Sequence, residues 1–423
     1  MTATDIHRSI DAVWRMESPR LIAGLARIVR DVGTAEELAQ DALVAALEQW
    51  PSTGVPRNPG AWLMTTAKHR AIDQLRRRAL HRRKEDELTR EIEDQLAQTV
   101  GDADAMLDDP IGDDLLSLMF TACHPLLSTE ARVALTLRLL GGLTTPEIAR
   151  AFLVPEPTVA QRIVRAKRSL SEAKVPFEVP RGDELSVRLA SVLEVIYLIF
   201  NEGYAASAGD DWMRPTLCEE AMRLGRVLAG LAPREPEVHG LVALMEIQAS
   251  RIPARTDAHG DPILLAEQNR ARWDQLLIRR GLAALELAEK LGGGEGSYVL
   301  QASLAACHAR ALRVEDTDWA RIATLYDTLA RRQPSPVIAL NRAVAHAQAF
   351  GPQIGLQLVD ALRDEPLLRH YHLLPSVRGD LLRRLGRHSE ARQEFERAAA
   401  LTRNTRERAL LLQRAQAMSD TAS

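Results

Sequence analysis

Gln161, Arg162, Arg165, Lys167 and Arg168 crowd into the short stretch TVAQRIVRAKRSL, and four of these five side chains are cationic. At helical spacing they fall outside an apolar stripe of Val159, Ile163, Val164 and Leu170. A helix of this kind can set its first polar residues against base edges and its arginines against phosphates. That is binding chemistry, with no bond made or broken. A second set lies in NPGAWLMTTAKHRAIDQLRRRALHRRK, residues 58–84. Met64, Ala67, Ala71, Leu75 and Ala79 form its core stripe, while Trp62, Thr66, His69, Asp73 and Arg76 share another face. Lys68, Arg70, Arg77 and Arg78 add charge around them. Cations for phosphates, with an aromatic and hydrogen-bonding groups for unstacked bases, suit single-stranded nucleic acid. Taken singly, Trp62 reads as a core residue and the arginine run as a solvated helix end.

A third set has the opposite sign. In DVGTAEELAQDALVAALEQWP, residues 31–51, Leu38, Ala42, Leu43, Ala46, Leu47 and Trp50 make the buried stripe. Glu36, Glu37, Gln40, Asp41 and Glu48 make an acidic face expected to be exposed. Such a face repels phosphates. It is either a docking surface for a basic protein or a plain solvated face.

The elements that position these residues are helices. Thr144 and Glu147 form a capping box, Pro146 sits in the first turn, and Gly141-Gly142 ends the helix before. Pro155-Glu156-Pro157-Thr158 opens the second helix, and Leu153 occupies a turn position where glycine is common. The pair reads as a helix-turn-helix. Ala, Leu and Arg dominate the 423 residues and aromatics make up only 4%, which predicts an all-α fold.

Other chemistries find no footing. There is no nucleophile elbow, phosphate loop or metal-ligand spacing. Cys123, Cys218 and Cys307 are scattered singly. The expectation is therefore a non-enzyme with no catalytic residue, no metal and no cofactor. No apolar run has the length of a membrane span, and MTATDIHRSIDAVWRM carries no secretory pattern, so a cytoplasmic protein is expected. The net charge of −3 averages segments of opposite sign: residues 85–114 hold twelve acids against a single arginine and read as a solvated linker.

PFEVPRGDE, residues 176–184, reads as a second junction. Beyond it lies a long helical half, about 185–418. Gly351 and Gly386 are 35 residues apart, a tetratricopeptide-like period. DTDWARIATLYDTLARRQP (316–334) places Trp319, Ile322, Tyr326, Leu329 and Pro334 at that repeat's spacing. RGDLLRRLGRHSEARQEFERAAAL (378–401) places Gly379, Ala391, Phe395 and Ala398 where such repeats use small residues and an aromatic. An irregular helical bundle is the alternative. Residues 185–300 match no repeat. They hold two polar clusters: Asn201, Glu202, Tyr204, Asp211, Trp212 and Arg214, then Arg251, Arg255, Asp257, Asp261, Gln268, Arg270 and Trp273. These either line a ligand pocket or, as such residues more often do, tie loops to helix ends through buried ion pairs.

The three sets, in this order and spacing, resemble a bacterial sigma factor of RNA polymerase, sigma-70 family, extracytoplasmic-function (ECF) group. AEELAQDALVAALEQW is similar to the core-polymerase-binding helix of region 2, and AWLMTTAKHRAIDQLRRR to its promoter-melting helix. Residues 113–170 are similar to region 4. The length of the chain resembles the subgroup with a helical, tetratricopeptide-bearing extension thought to regulate the factor. The resemblance implies domains at 1–84 (region 2), 113–175 (region 4), 185–300 (helical extension) and 301–418 (repeats), with a flexible linker at 85–112. It implies that Glu36, Glu37, Gln40, Asp41 and Leu43 contact core RNA polymerase. Trp62, Lys68, His69, Arg70, Asp73, Arg76 and Arg77 would meet the melted −10 strand. Lys68-His69-Arg70 departs from the Arg-Asn and following apolar residue frequent in relatives, which leaves base preference open. Glu156, Thr158, Gln161, Arg162, Arg165, Lys167 and Arg168 would meet the −35 duplex. A peptide or protein partner would suit the repeats. The rival readings are a one-component regulator with a sensing half, a repeat scaffold with a degenerate DNA-binding head and, most distant, an enzyme hidden in 185–300. The acidic face discriminates against the regulator, which has no use for it.

Overall fold

The computed structural model describes residues 3–82, 110–152, 154–205, 213–257, 260–402 and 404–420. The all-α expectation holds: helices supply the regular structure of these residues, with an isolated bridge between Thr256 and Pro262. The chain divides into two compact units, Met1–Ile196 and Tyr197–Ser423.

In the first unit, α1 (Ala3–Val29), α2 (Val32–Thr53) and α3 (Pro59–Arg82) pack on one another. Their shared core is Leu21, Leu25, Leu38, Trp50 and Leu63 with Ala35, Ala39, Ala42, Ala46, Ala67 and Ala71, all buried. The many alanines let the helices approach closely, and each removes little entropy on folding. The stripe predicted for α3 is shifted by a residue at its start: Leu63 is buried where Met64 is half-buried, and the side chain of Ala79 lies outside the described residues.

The helix α4 (Pro110–Ala122) begins inside the segment 85–112 expected as linker; residues 83–109 lie outside the described residues. It is followed by α5 (Thr129–Leu139), α6 (Thr145–Phe152) and α7 (Glu156–Glu172). Ser128 caps α5 by accepting from the Ala131 N–H at 3.3 Å. The α6 box forms as predicted: the Thr144 N–H donates to Glu147 Oε2 at 2.7 Å, and the Glu147 N–H to Thr144 Oγ1 at 3.4 Å. Val159, Ile163, Ala166 and Leu170 bury one face of α7. Val164, expected in that stripe, is 64% exposed. It sits one residue further round the helix, and small Ala166 completes the face instead.

The sequence junction falls between the end of α7 and α8 (Asp183–Tyr204). The first half of α8 packs into the first unit. Arg188 donates to the Phe120 carbonyl at 2.9 Å, Ser191 Oγ to the Cys123 carbonyl at 2.6 Å, and Arg132 to Glu194 at 3.0 Å. The boundary between units lies within this helix, after Ile196.

The second unit continues with α9 (Pro215–Leu231) and α10 (Pro236–Ala249), the latter buried nearly all round and covered by α11 (Gln275–Lys290) and α12 (Ser297–Arg310). Short 3-10 turns at Ile252–Ala254 and Arg270–Arg272 lie between α10 and α11. Then come α13 (Trp319–Arg332), α14 (Pro336–Phe350), α15 (Pro352–Asp360), α16 (Leu373–Arg384), α17 (His388–Leu401) and α18 (Thr405–Asp420), each packed on its neighbour in sequence. The small-residue reading of 378–401 has a physical basis: a Cβ at Gly379 would lie 2.9 Å from the Phe395 ring, and Ala391, Phe395 and Ala398 are fully buried. Arg378 ties the layers together, donating to Asp360 at 2.8 Å and Glu394 at 3.0 Å.

Candidate nucleic-acid and polymerase interface

On α2, the Asp31 carboxylate caps the helix by accepting from the Thr34 N–H at 2.7 Å. Glu37 and Asp41 are exposed, Gln40 and Leu43 half-buried. Glu36 corrects the expected acidic face. Only 3% of it is exposed. Its carboxylate accepts from Arg138 Nε at 2.7 Å and from Gln40 Nε2 at 2.8 Å, and it pairs with Lys167 of α7. The reason is geometric: Glu36 lies two turns before Leu43 and so on the edge of the apolar stripe, where α7 and the end of α5 cover it.

Of the acids of α2 that stay outside, Asp41 faces α3. Arg70 donates to the Asp41 carbonyl at 2.6 Å, with the Asp41 carboxylate 3.7 Å away. Trp62 is half-buried and meets Trp50 edge-on at a centroid distance of 5.3 Å, which fixes its ring without hiding it. His69, Asp73 and Arg76 are exposed; the side chain of Arg77 lies outside the described residues. Lys68 is half-buried beside Arg27, itself paired with Asp114 at 3.3 Å. Burial, then the Arg27 charge, pull the Lys68 pKa below the ordinary lysine value despite Asp114. α3 thus brings together Trp62, His69, Arg70, Asp73 and Arg76 on accessible surface.

On α7, Glu156, Gln161, Arg165 and Arg168 are exposed, Thr158 and Arg162 half-buried. Arg168 is held by Glu172 at 2.6 Å. Lys167 differs from its neighbours, because its ammonium is turned to Glu36. Leu153 in the turn lies outside the described residues.

Sequence reasoning missed α1. Arg15 donates to Glu147 at 2.9 Å, so the capping box of the helix-turn-helix is anchored on the first helix. Burial raises the Glu147 pKa, but the Thr144 N–H and hydroxyl, with Arg15 and Arg150 nearby, outweigh it and hold the pKa below 4.5. The turn before α6 also leans on α1. Gly142 takes φ +64°, and a Cβ there would meet Ser18 Oγ at 3.5 Å. The signal for these contacts was faint: a glycine pair in a turn and one arginine on the first helix.

Two cationic helices and an acidic helix are now placed on one unit, with no metal-holding cluster of His, Cys, Asp and Glu among the described residues. Residues 13–81 match the family described as sigma-70 region 2, and residues 117–170 that described as sigma-70, region 4. The chain belongs to the sigma-70 family. Residues 188–289 match a family of unknown function, DUF6596. An uncharacterized protein of Rhizobium meliloti (strain 1021) is 42% identical over 407 residues, covering 95% of this chain and 94% of its own length. The three matches within one chain make this a sigma-70 protein with a long helical addition. Members of the sigma-70 family are transcription initiation factors, so core RNA polymerase and promoter DNA are the partners the two regions imply. No helix among the described residues is long and apolar enough to cross a membrane.

Proposed function

We propose that this chain is a cytoplasmic sigma factor of the ECF group that brings core RNA polymerase to specific promoters and opens them, with its C-terminal half as a built-in regulator. One observation carries the reading: α2 offers exposed Glu37 and Asp41, with Asp41 against half-buried Arg70 of α3, the helix that also carries half-buried Trp62 and exposed Arg76, within the segment matched to region 2. Acids in that position serve a basic protein surface and would work against DNA. Glu37, Gln40, Asp41 and Leu43 dock on polymerase. Glu36 joins them only if its pairs with Lys167 and Arg138 open. Trp62, Lys68, His69, Arg70, Asp73, Arg76 and Arg77 meet the separated −10 strand. Gln161, Arg162 and Arg165 read and hold the −35 duplex with Glu156 and Thr158, while Arg168 adds a phosphate contact and Lys167 joins it only if its pair with Glu36 opens.

Residues 301–418 act as tetratricopeptide-like repeats that take a peptide or protein partner; Gly379 packed on Phe395 supports that reading. Run-off transcription with purified core polymerase on genomic promoter fragments tests the proposal. Initiation by the full chain supports it. Silence, together with tight duplex binding in the absence of polymerase, would point to a one-component regulator.

A further inference from the structure

Where α10 ends, the second unit gathers cations that the promoter-binding reading does not use. Arg251 follows α10, Arg255 follows the Ile252–Ala254 turn, Arg270 opens the Arg270–Arg272 turn, and His308 lies in the last turn of α12. Tyr204 collects two of them: the Arg255 guanidinium lies over its ring at 3.6 Å and that of Arg251 at 5.7 Å. Arg270 lies over the Trp273 ring at 4.9 Å. Its terminal nitrogens donate to the His308 and Ala311 carbonyls, each at 2.7 Å, and to Thr317 Oγ1 at 3.1 Å. The His308 ring stands edge-on to Trp319 at 5.2 Å.

Three nitrogens here are buried and have no hydrogen-bond partner: Arg251 Nε, Arg270 Nε and His308 Nδ1. Neither Arg251 nor Arg270 forms an ion pair with a carboxylate among the described residues, and Glu315 and Asp316 influence Arg270 only from a distance. Burial and the two arginines press the His308 pKa down to about 4. Arg251 and Arg270 are half-buried as residues; cations withdrawn from water in this way ordinarily come with carboxylates, and buried donors left without a partner are costly. Elsewhere in this unit the rule is kept: Arg378 lies between Asp360 and Glu394, and Arg226 donates to buried Glu246 at 2.7 Å. The cluster around Arg251 and Arg270 breaks it.

We propose that Arg251, Arg270 and His308 form a binding site for a dianionic phosphate group carried by a small molecule. The charge favours phosphate over carboxylate, because two guanidiniums and a protonatable imidazole match a dianion. Each partner-less arginine Nε–H is also a charged donor that a phosphate oxygen can accept from. The rings of Trp273, Trp319 and Tyr204 around the cations supply apolar walls for whatever carries the phosphate. Arg251, Arg270 and the Tyr204 platform lie in the DUF6596 segment, while His308 lies beyond it, so the site joins that segment to the helices that follow. The inference does not depend on promoter recognition.

The test uses the full chain. Inorganic phosphate, glycerol 3-phosphate and acetate are titrated at matched ionic strength, following thermal stability and the His308 ring nitrogens by NMR. Because α3 and α7 also attract anions, the site is read from the part of the response that Arg251→Gln removes. The Arg251 side chain makes no hydrogen bond among the described residues, so this variant is expected to fold as well as the parent. Saturable stabilisation by phosphate or glycerol 3-phosphate, weakened about tenfold or more by Arg251→Gln, is the expected result. It should come with a His308 titration moving up towards the ordinary histidine range. Stronger binding of glycerol 3-phosphate than of phosphate would identify an organic phosphate as the ligand; the reverse would identify the free ion. Equal responses of parent and variant, an unmoved His308, or preference for acetate would overturn the proposal.

Discussion

The Glu36 carboxylate of α2 and the Lys167 ammonium of α7 form an ion pair that joins the segment matched to region 2 to the segment matched to region 4. Arg138 completes it from α5. Two cations around one buried acid hold the two regions together in this arrangement. They also withdraw Lys167 from the cationic face of α7. Glu36→Gln leaves both cations facing a neutral amide in a water-poor contact. It is expected to destabilise the first unit by about 3 kcal/mol, the scale for losing one partner of a buried pair. Urea unfolding followed by far-UV CD measures this. Duplex binding should hold or rise, because Lys167 is released to phosphate. A Glu36→Gln protein as stable as the parent would mean that the pair contributes nothing to the contact.

Glu37 and Asp41 behave differently because both are exposed. Reversing both charges to lysine removes only the exposed Asp41–Arg70 pair, which contributes about 0–1 kcal/mol. Stability should therefore change little. Transcription and retention on immobilised core polymerase should be abolished. Unchanged run-off product from a folded double variant would remove the docking assignment.

Gln161 and Arg165 divide the work of α7. Gln161→Ala is expected to cost about 1–3 kcal/mol of discrimination at one base position. Arg165→Ala should weaken binding to all sequences alike and reduce the slope of log K against log salt by about 1. Anisotropy titrations with matched and mismatched duplexes at several salt concentrations separate the two. A uniform loss for Gln161→Ala would mean that it only positions the helix.

What the sequence made legible was local. The α6 start was readable because Thr144 and Glu147 cap each other within one turn, and α7 because its prolines precede a regular apolar face. What escaped it was distant. Glu36 is covered by Arg138, 102 residues away. Periodicity reports which side of a helix is apolar, not which later helix will cover its edge. Val164 was grouped with the buried stripe because it is apolar, although Ala166 has the better angular position. The first half of α8 looked like the opening of the second half of the chain because a proline-rich junction precedes it. Nothing in that junction reveals that Arg188 and Ser191 return to α4.

Glu147 gives the first unit a pH dependence of known sign. Its pKa is below 4.5 in the folded protein. A depressed carboxyl stabilises fully above its unfolded value, and that contribution fades as pH falls through the folded pKa. The stability difference between the parent and Glu147→Gln should therefore be constant from neutral pH to somewhat above 4.5, then shrink on further acidification. Parallel urea titrations at several pH values read it out. A difference that grows with acid would contradict the anchoring by Thr144 and Arg15.

The last prediction concerns where the second half can be removed. Cutting after residue 180 deletes Arg188, Ser191 and Glu194, and with them the hydrogen bonds to Phe120, Cys123 and Arg132. The two carbonyls lose donors, and Arg132 keeps only its contact to Thr129, at 3.0 Å. The Arg188 bond is charge-assisted and buried, so losing the set should cost about 3 kcal/mol or more. A chain ending at Ile196 keeps all three contacts. Residues 1–180 should therefore unfold at lower urea than residues 1–196, and only the longer piece reports cleanly on the regulatory role of the rest. If residues 1–196 initiate more transcription than the full chain, the addition restrains the factor; if less, it activates. Equal stability of the two pieces would show that α8 does not support region 4.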